Sequence, residues 1–125
     1  MSDFRTPTSR VRGLGASGHG VGHFISQRVS AIALFFVIPP FVWTLATSGA
    51  PDGDAMRAYL ATPVGAILTL LVLTAAFYHM RLGVQVVIED YIQKHGMKTF
   101  LLLLNTLLTA GLWLAAVFSL VKIAL

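Results

Sequence analysis

The chain has 125 residues, of which 11% are charged and 56% are hydrophobic, and its mean hydropathy is +0.78. A soluble globular domain has about 25% charged residues, so this composition cannot cover a water-facing surface. It excludes an ordinary soluble enzyme, a disordered tail and a nucleic-acid-binding domain, although the net charge is +4. Because the chain has no cysteine, it also excludes a disulfide, a cysteine-ligated iron–sulfur cluster and a thiolate zinc site.

Three windows without Asp, Glu, Lys or Arg divide the chain, and each is 23 residues long: Val29–Pro51, Ala58–Met80 and Thr99–Val121. A helix needs about 20 apolar residues to cross about 30 Å of hydrocarbon. Backbone polar groups in lipid must be paired within the segment, which favours helices. The sequence therefore predicts an all-α membrane protein with three transmembrane helices.

Prolines and capping residues indicate where these helices begin and bend. Pro63 suits the first turn of the second helix and Thr62 suits its N-cap, whereas Pro39 and Pro40 should kink or loosen the first helix. We expect helices at about 24–45, 63–90 and 98–122. Residues 24–125 then form one transmembrane anchor domain that follows an N-terminal tail of residues 1–23.

Lysines and arginines are unevenly distributed between the two sides of this arrangement. The positive-inside rule therefore places the N-terminus and the second loop in the cytoplasm, and the C-terminus outside. Without a transit-like extension, a bacterial inner membrane is expected; in a mitochondrial inner membrane the matrix would replace the cytoplasm. The cytoplasmic set is Arg5, Arg10, Arg12, Arg28, Lys94 and Lys98, and the outer set is Arg57 and Lys122.

The tail contains a match to G-x-G-x-x-G at residues 13–18. That dinucleotide-binding fingerprint needs a preceding strand and a βαβ unit, for which this chain has no room. We interpret the glycines as an irregular segment that lies on the membrane or on a partner.

His79 is the only histidine inside a predicted span, about 15 Å along the helix from Glu89. A neutral imidazole there can ligate a metal, and haem iron is the natural candidate in a membrane. Gly83, one turn away on the same face, would let a flat macrocycle lie against the backbone. The alternative is a histidine hydrogen-bonded to a neighbouring helix, with Gly83 allowing close helix packing.

Other polar residues surround this position. Asp90 lies 11 residues after His79, which returns it to within about 20° of the same helix face. Tyr91 could donate a hydrogen bond to a quinone carbonyl, or simply belong to an interfacial aromatic belt. Arg28 could pair with a haem propionate or with lipid phosphate. Arg81 could snorkel, or pair with Glu89 or a propionate, and its role stays open.

The run His79-Met80-Arg81-Leu82-Gly83-Val84-Gln85-Val86-Val87-Ile88-Glu89-Asp90-Tyr91 resembles the second-helix signature of the hydrophobic membrane-anchor subunits of succinate dehydrogenase, in particular the smaller, cytochrome b-type anchor. The run from His23 to Ala31 is similar to the entry of that family into its first span. Three spans and a cytoplasmic N-terminus match as well, so the resemblance covers nearly the whole chain.

This resemblance implies a function and residue roles. His79 would be one axial ligand of a haem b shared with a companion cytochrome b anchor subunit, with Arg28 near the propionates. Tyr91 would hydrogen-bond ubiquinone, and Asp90 would help to order that site. A flavoprotein subunit would oxidise succinate and an iron–sulfur subunit would carry the electrons to ubiquinone. This chain would be a non-catalytic anchor, without a dicarboxylate or flavin site, in a hetero-subunit helical bundle.

Two other functions fit the composition. A small homo-oligomeric transporter would line a polar path with Arg81, Gln85 and Glu89, although no acid lies deep in the membrane. A purely structural membrane protein would bind no cofactor and would tolerate substitution of His79.

Overall fold

The structure is a computed structural model that describes residues 6–13, 20–48 and 52–125. Within these ranges the chain forms helices and no strand. Three of the helices are long and apolar enough to cross a membrane, which confirms the predicted all-α, three-span architecture. The helices are α1 (Pro7–Val11), α2 (Gly20–Thr47), α3 (Gly53–Leu60), α4 (Pro63–Tyr91) and α5 (His95–Ala124).

Local sequence explains the ends of the long helices. Thr62 caps α4 by accepting a hydrogen bond from the Gly65 amide at 3.0 Å, and Pro63 occupies the first turn, as predicted. Helix α2 begins at Gly20 and α5 at His95, each a few residues before the expected start. Helix α2 continues through Pro39 and Pro40 without interruption. The expected kink or loosening at these prolines stays a prediction.

Helix α4 is the central element, because it packs against both α2 and α5. Its buried side chains, Leu82 and Ile88, lie in its C-terminal half. Most other apolar side chains of the three spans are exposed on the single chain. Such surfaces suit hydrocarbon or other membrane helices rather than water.

The short helix α3 was not predicted, and it connects the ends of α2 and α4. Asp52 caps it by accepting a hydrogen bond from the Asp54 amide at 3.3 Å. The Tyr59 hydroxyl is 2.8 Å from the Thr44 hydroxyl, and the Tyr59 carbonyl lies against Gly65. A buried tyrosine thus joins the loop helix to both spans.

Some sequence-based interpretations concern residues outside the described ranges. Arg5 is one of them, and so are residues 14–18 of the glycine-rich match. Gly13, at its start, is described and adopts a φ of 62°, a left-handed conformation that favours glycine.

Candidate functional site

One face of α2 carries polar side chains at helical spacing, and His79 of α4 contacts this face. His23, Gln27 and Ser30 follow one another at i, i+4 and i+7, so they share one side of α2. The Ser30 hydroxyl oxygen lies 2.9 Å from Nδ1 of His79. The side-chain nitrogen of Gln27 lies 3.4 Å from Nε2 of the same ring. Packing of the first two spans therefore brings both ring nitrogens next to polar groups.

Two polar atoms on this face of α2 are buried and have no hydrogen-bond partner within the described part of the chain. They are Nε2 of His23 and the side-chain oxygen of Gln27. Buried polar atoms in folded proteins are nearly always paired, so such orphans indicate a missing group. The contact face of α2 can therefore accept a further polar ligand or partner.

Gly83 lies one turn after His79 on the same unbroken helix, and because it has no side chain it leaves space beside the imidazole. A Cβ atom placed on Gly83 would meet only the side-chain nitrogen of Gln27, at 3.9 Å. No tightly packed neighbour thus explains the glycine in this chain alone. The gap lies one turn below His79 and on nearly the same side of the helix.

These residues fit a haem ligated by His79. The ring has one nitrogen, Nδ1, held by a hydroxyl, as metal-ligating histidines usually have. The other nitrogen, Nε2, meets only an amide at 3.4 Å, which is a long and weak hydrogen bond. Gln27 has a flexible side chain, so its amide can leave this position. Gly83 offers a flat surface for a macrocycle on the same face.

The end of α4 carries the residues predicted for a quinone site. Asp90 lies on nearly the same helix face as His79, about 16 Å further along the unbroken helix. Tyr91 is 78% exposed, and Asp90 is exposed as well. Neither side chain has a hydrogen-bond partner in the described part of the chain. Both are therefore available to a ligand or to a neighbouring subunit at the end of the span.

The structure does not bring Arg28 into contact with His79. Arg28 precedes Ser30 by two residues, which places it about 160° from Ser30 around the helix. Its guanidinium lies 5.0 Å from the centre of the Phe24 ring, a cation–π arrangement, and the side chain is exposed. Arg28 thus faces away from the Ser30 side of α2.

Arg81 points toward α5, unlike His79, which contacts α2. Its Nε donates a 3.4 Å hydrogen bond to the hydroxyl of Thr106, and its carbonyl accepts one from the Asn105 amide at 3.0 Å. A cavity of about 310 Å³ opens beside it between α4 and α5. Glu89, one partner considered for Arg81, accepts a 2.8 Å hydrogen bond from Gln85 instead.

Sequence reasoning missed Ser30 and Gln27, the two side chains that contact the His79 ring. A signal was present, because these polar residues sit three apart at the start of an apolar helix and therefore share a face. What they face could not be read from spacing alone.

The fold and this site define a class: an α-helical membrane protein with three spans, in which the His79 imidazole lies between the first two spans. A sequence profile of the succinate dehydrogenase/fumarate reductase transmembrane subunits matches residues 2–121. The chain therefore belongs to this family, and the resemblance drawn from the sequence is confirmed.

Individual relatives support this assignment. The chain is 28% identical over 120 residues to the succinate dehydrogenase hydrophobic membrane anchor subunit of Paracoccus denitrificans, covering 96% of this chain and 92% of that protein. It is 29% identical over 119 residues to the protein of the same name from Rickettsia bellii, covering 93% and 95%. The similarity extends over nearly the full length of both chains in each comparison.

Proposed function

We propose that this chain is the hydrophobic membrane-anchor subunit of a succinate dehydrogenase, in which His79 is an axial ligand of haem b. The observation that carries the haem assignment is the imidazole inside a span, with Nδ1 held by Ser30 and Nε2 toward a movable amide. The family match and the anchor names of the relatives support the wider assignment. A companion cytochrome b anchor subunit would supply the second ligand.

The proposed haem, when bound, supplies a one-electron redox centre, and the residues of this chain hold and surround it. His79 would hold the haem iron through Nε2, which requires the Gln27 amide to leave its position 3.4 Å from this nitrogen, and Gly83 would leave room for the macrocycle. Arg28, exposed near the start of the first span, would be the partner of a haem propionate, although it does not contact His79 in the single chain.

The ubiquinone site is proposed at the end of α4. The Tyr91 hydroxyl donates a hydrogen bond to a quinone carbonyl oxygen, and Asp90 orders the site from the adjacent position. Support comes from their exposure and from their lack of side-chain partners in the described part of the chain. An iron–sulfur subunit at this face would deliver the electrons, and a flavoprotein subunit would oxidise succinate.

We also propose an orientation for the chain in a bacterial inner membrane. The N-terminus and the loop between α4 and α5 face the cytoplasm, because that side carries most lysines and arginines. The ends of α2, α3 and α4 around Tyr59 then lie on the outer side.

The haem assignment is tested by replacing His79 with leucine in the assembled complex. The absorption and electron paramagnetic resonance spectra of a bis-histidine haem b should be lost, because leucine has no ligating atom. His95→Leu is the matched control, since His95 is exposed at the start of α5 and should leave the spectra unchanged. Normal bis-histidine spectra in His79→Leu would refute the ligand assignment.

The quinone assignment is tested with Tyr91→Phe, which removes only the phenolic hydroxyl. Succinate-dependent ubiquinone reduction should fall, whereas succinate oxidation with an artificial acceptor should persist. Tyr78→Phe is the control, because Tyr78 lies in the span about 20 Å from Tyr91 along α4. Equal losses in both assays would contradict a quinone role for Tyr91.

A further inference from the structure

We propose that Ser30 is a positioning residue for His79: its hydroxyl oxygen accepts a hydrogen bond from Nδ1–H, fixes the tautomer and leaves the Nε2 lone pair for iron. This inference rests on the proposed haem function. It deepens that function, because it names a residue of α2 that prepares a ligand carried by α4.

The hydrogen bonds around Ser30 determine which atom donates. The hydroxyl has a single proton, and its oxygen lies 3.0 Å from the backbone carbonyl oxygen of Gln27, which can only accept. The Ser30 proton therefore goes to that carbonyl. Since the same hydroxyl oxygen is 2.9 Å from Nδ1 of His79, the proton between these two atoms belongs to Nδ1.

The other ring nitrogen agrees with this assignment. With its proton on Nδ1, a neutral imidazole has an unprotonated Nε2, which can accept a hydrogen bond or bind a metal. An amide nitrogen of Gln27, a donor, is the group that faces Nε2 at 3.4 Å. Both contacts therefore favour the tautomer that presents Nε2 as the ligating atom.

The position of Ser30 makes this hydrogen bond well defined. Ser30 is 5% exposed, in the packing between α2 and α4. Its short side chain is held by the carbonyl of Gln27 as well as by the ring, so the oxygen has little freedom to move. The hydroxyl thus restrains rotation of the imidazole about its last side-chain bond.

A hydrogen bond from Nδ1–H raises the basicity of the ligating nitrogen, and outer partners of this kind typically change metal affinity about 10–100-fold. A more basic imidazole stabilises ferric over ferrous iron. Removing the Ser30 hydroxyl should therefore weaken haem retention and raise the midpoint potential of the haem.

The test compares Ser30→Ala, Ser30→Thr and Ser26→Ala in the assembled complex. Ser26 lies one turn earlier on α2 and has no hydrogen bond to His79, so it is the matched control. The readouts are the midpoint potential from a redox titration, the electron paramagnetic resonance g-values and the haem-to-protein ratio during detergent dilution. None of them measures turnover.

We expect Ser30→Ala to raise the potential, shift the g-values and lose haem about 10–100-fold more readily. Ser30→Thr should restore wild-type values because it keeps the hydroxyl, and Ser26→Ala should leave them unchanged. Wild-type spectra, potential and retention in Ser30→Ala would overturn the inference. So would equal shifts in Ser26→Ala, or a Ser30→Thr protein that assembles yet behaves like Ser30→Ala.

Failure of this inference can be distinguished from failure of the proposed function. If the wild-type complex contains a haem that depends on His79, and Ser30→Ala changes neither the midpoint potential, the g-values nor the haem retention, only the role of Ser30 is wrong. If His79→Leu retains the bis-histidine haem, the ligand assignment itself fails, and the inference about Ser30 fails with it.

Discussion

The amide nitrogen of Gln27 lies 3.4 Å from Nε2 of His79, the ring nitrogen that we propose binds iron. Gln27 and a haem iron therefore exclude one another at the ring. The other end of the same amide, its oxygen, is buried without a partner in the described part of the chain. Gln27 is thus held at the ring by one long hydrogen bond, which the proposed haem would have to displace.

Replacing Gln27 with alanine should leave haem binding close to wild type. The change removes one weak hydrogen bond, worth about 0.5–1.5 kcal/mol. It also removes the unpaired buried carbonyl of Gln27, and relief of that desolvation cost offsets the loss. The haem-to-protein ratio of the purified complex measures the effect. A loss as severe as that expected for His79→Leu would show that Gln27 is required for the haem site.

Gly83 should tolerate alanine better than leucine. A Cβ at Gly83 makes ordinary contact only, and alanine favours a helix interior over glycine by about 0.5–1 kcal/mol. A leucine side chain would fill the surface proposed for the macrocycle and should strongly reduce haem content. Haem content is compared at equal levels of the chain in the membrane, and full haem in Gly83→Leu would contradict packing against this glycine.

Gly65→Ala should destabilise the chain by about 1–3 kcal/mol, the usual cost of overpacking. The added Cβ would overlap the Tyr59 carbonyl oxygen and come within 2.9 Å of the Thr62 hydroxyl. Gly111→Ala is the control, because a Cβ there has open space around it. Unfolding in mixed detergent micelles measures both variants, and equal stability of the two would show that α3 does not pack as described.

The orientation can be tested with single cysteines, because the chain has none of its own. Asp54→Cys lies in α3 and Gln93→Cys lies in the loop before α5, and both sites are exposed. An impermeant thiol reagent applied to intact cells with a permeable outer membrane should label Asp54→Cys only. Labelling of Gln93→Cys alone would reverse the orientation that the positive charges predict.

The three spans were predictable because length and hydropathy decide them locally. The same holds for the start of α4, since Thr62 and Pro63 act through their own backbone. Helical periodicity alone also places His79 and Asp90 on one face. These features require no knowledge of how the helices contact one another.

Other features depend on the register between helices, which one sequence does not determine. The contact of Ser30 with His79 joins residues 49 positions apart. The Arg81 side chain points toward α5 because it donates a hydrogen bond to Thr106 of that helix. The α3 helix was missed because it has only eight residues, and its Tyr59 is held by contacts with Thr44 and Gly65 of the neighbouring spans.

Within the described part of the chain, both side chains that hydrogen-bond to the His79 ring, Gln27 and Ser30, come from α2, and helix α5 contacts α4 through Asn105. The first two spans therefore form a helical hairpin in which residues of α2 orient the His79 imidazole of α4. Two hairpins of this kind, facing each other, would amount to a four-helix bundle, an architecture that builds cofactor sites from inward side chains. Because α5 contributes no hydrogen bond to the His79 ring among the described residues, we expect changes in α5 to affect this site only through its packing on α4.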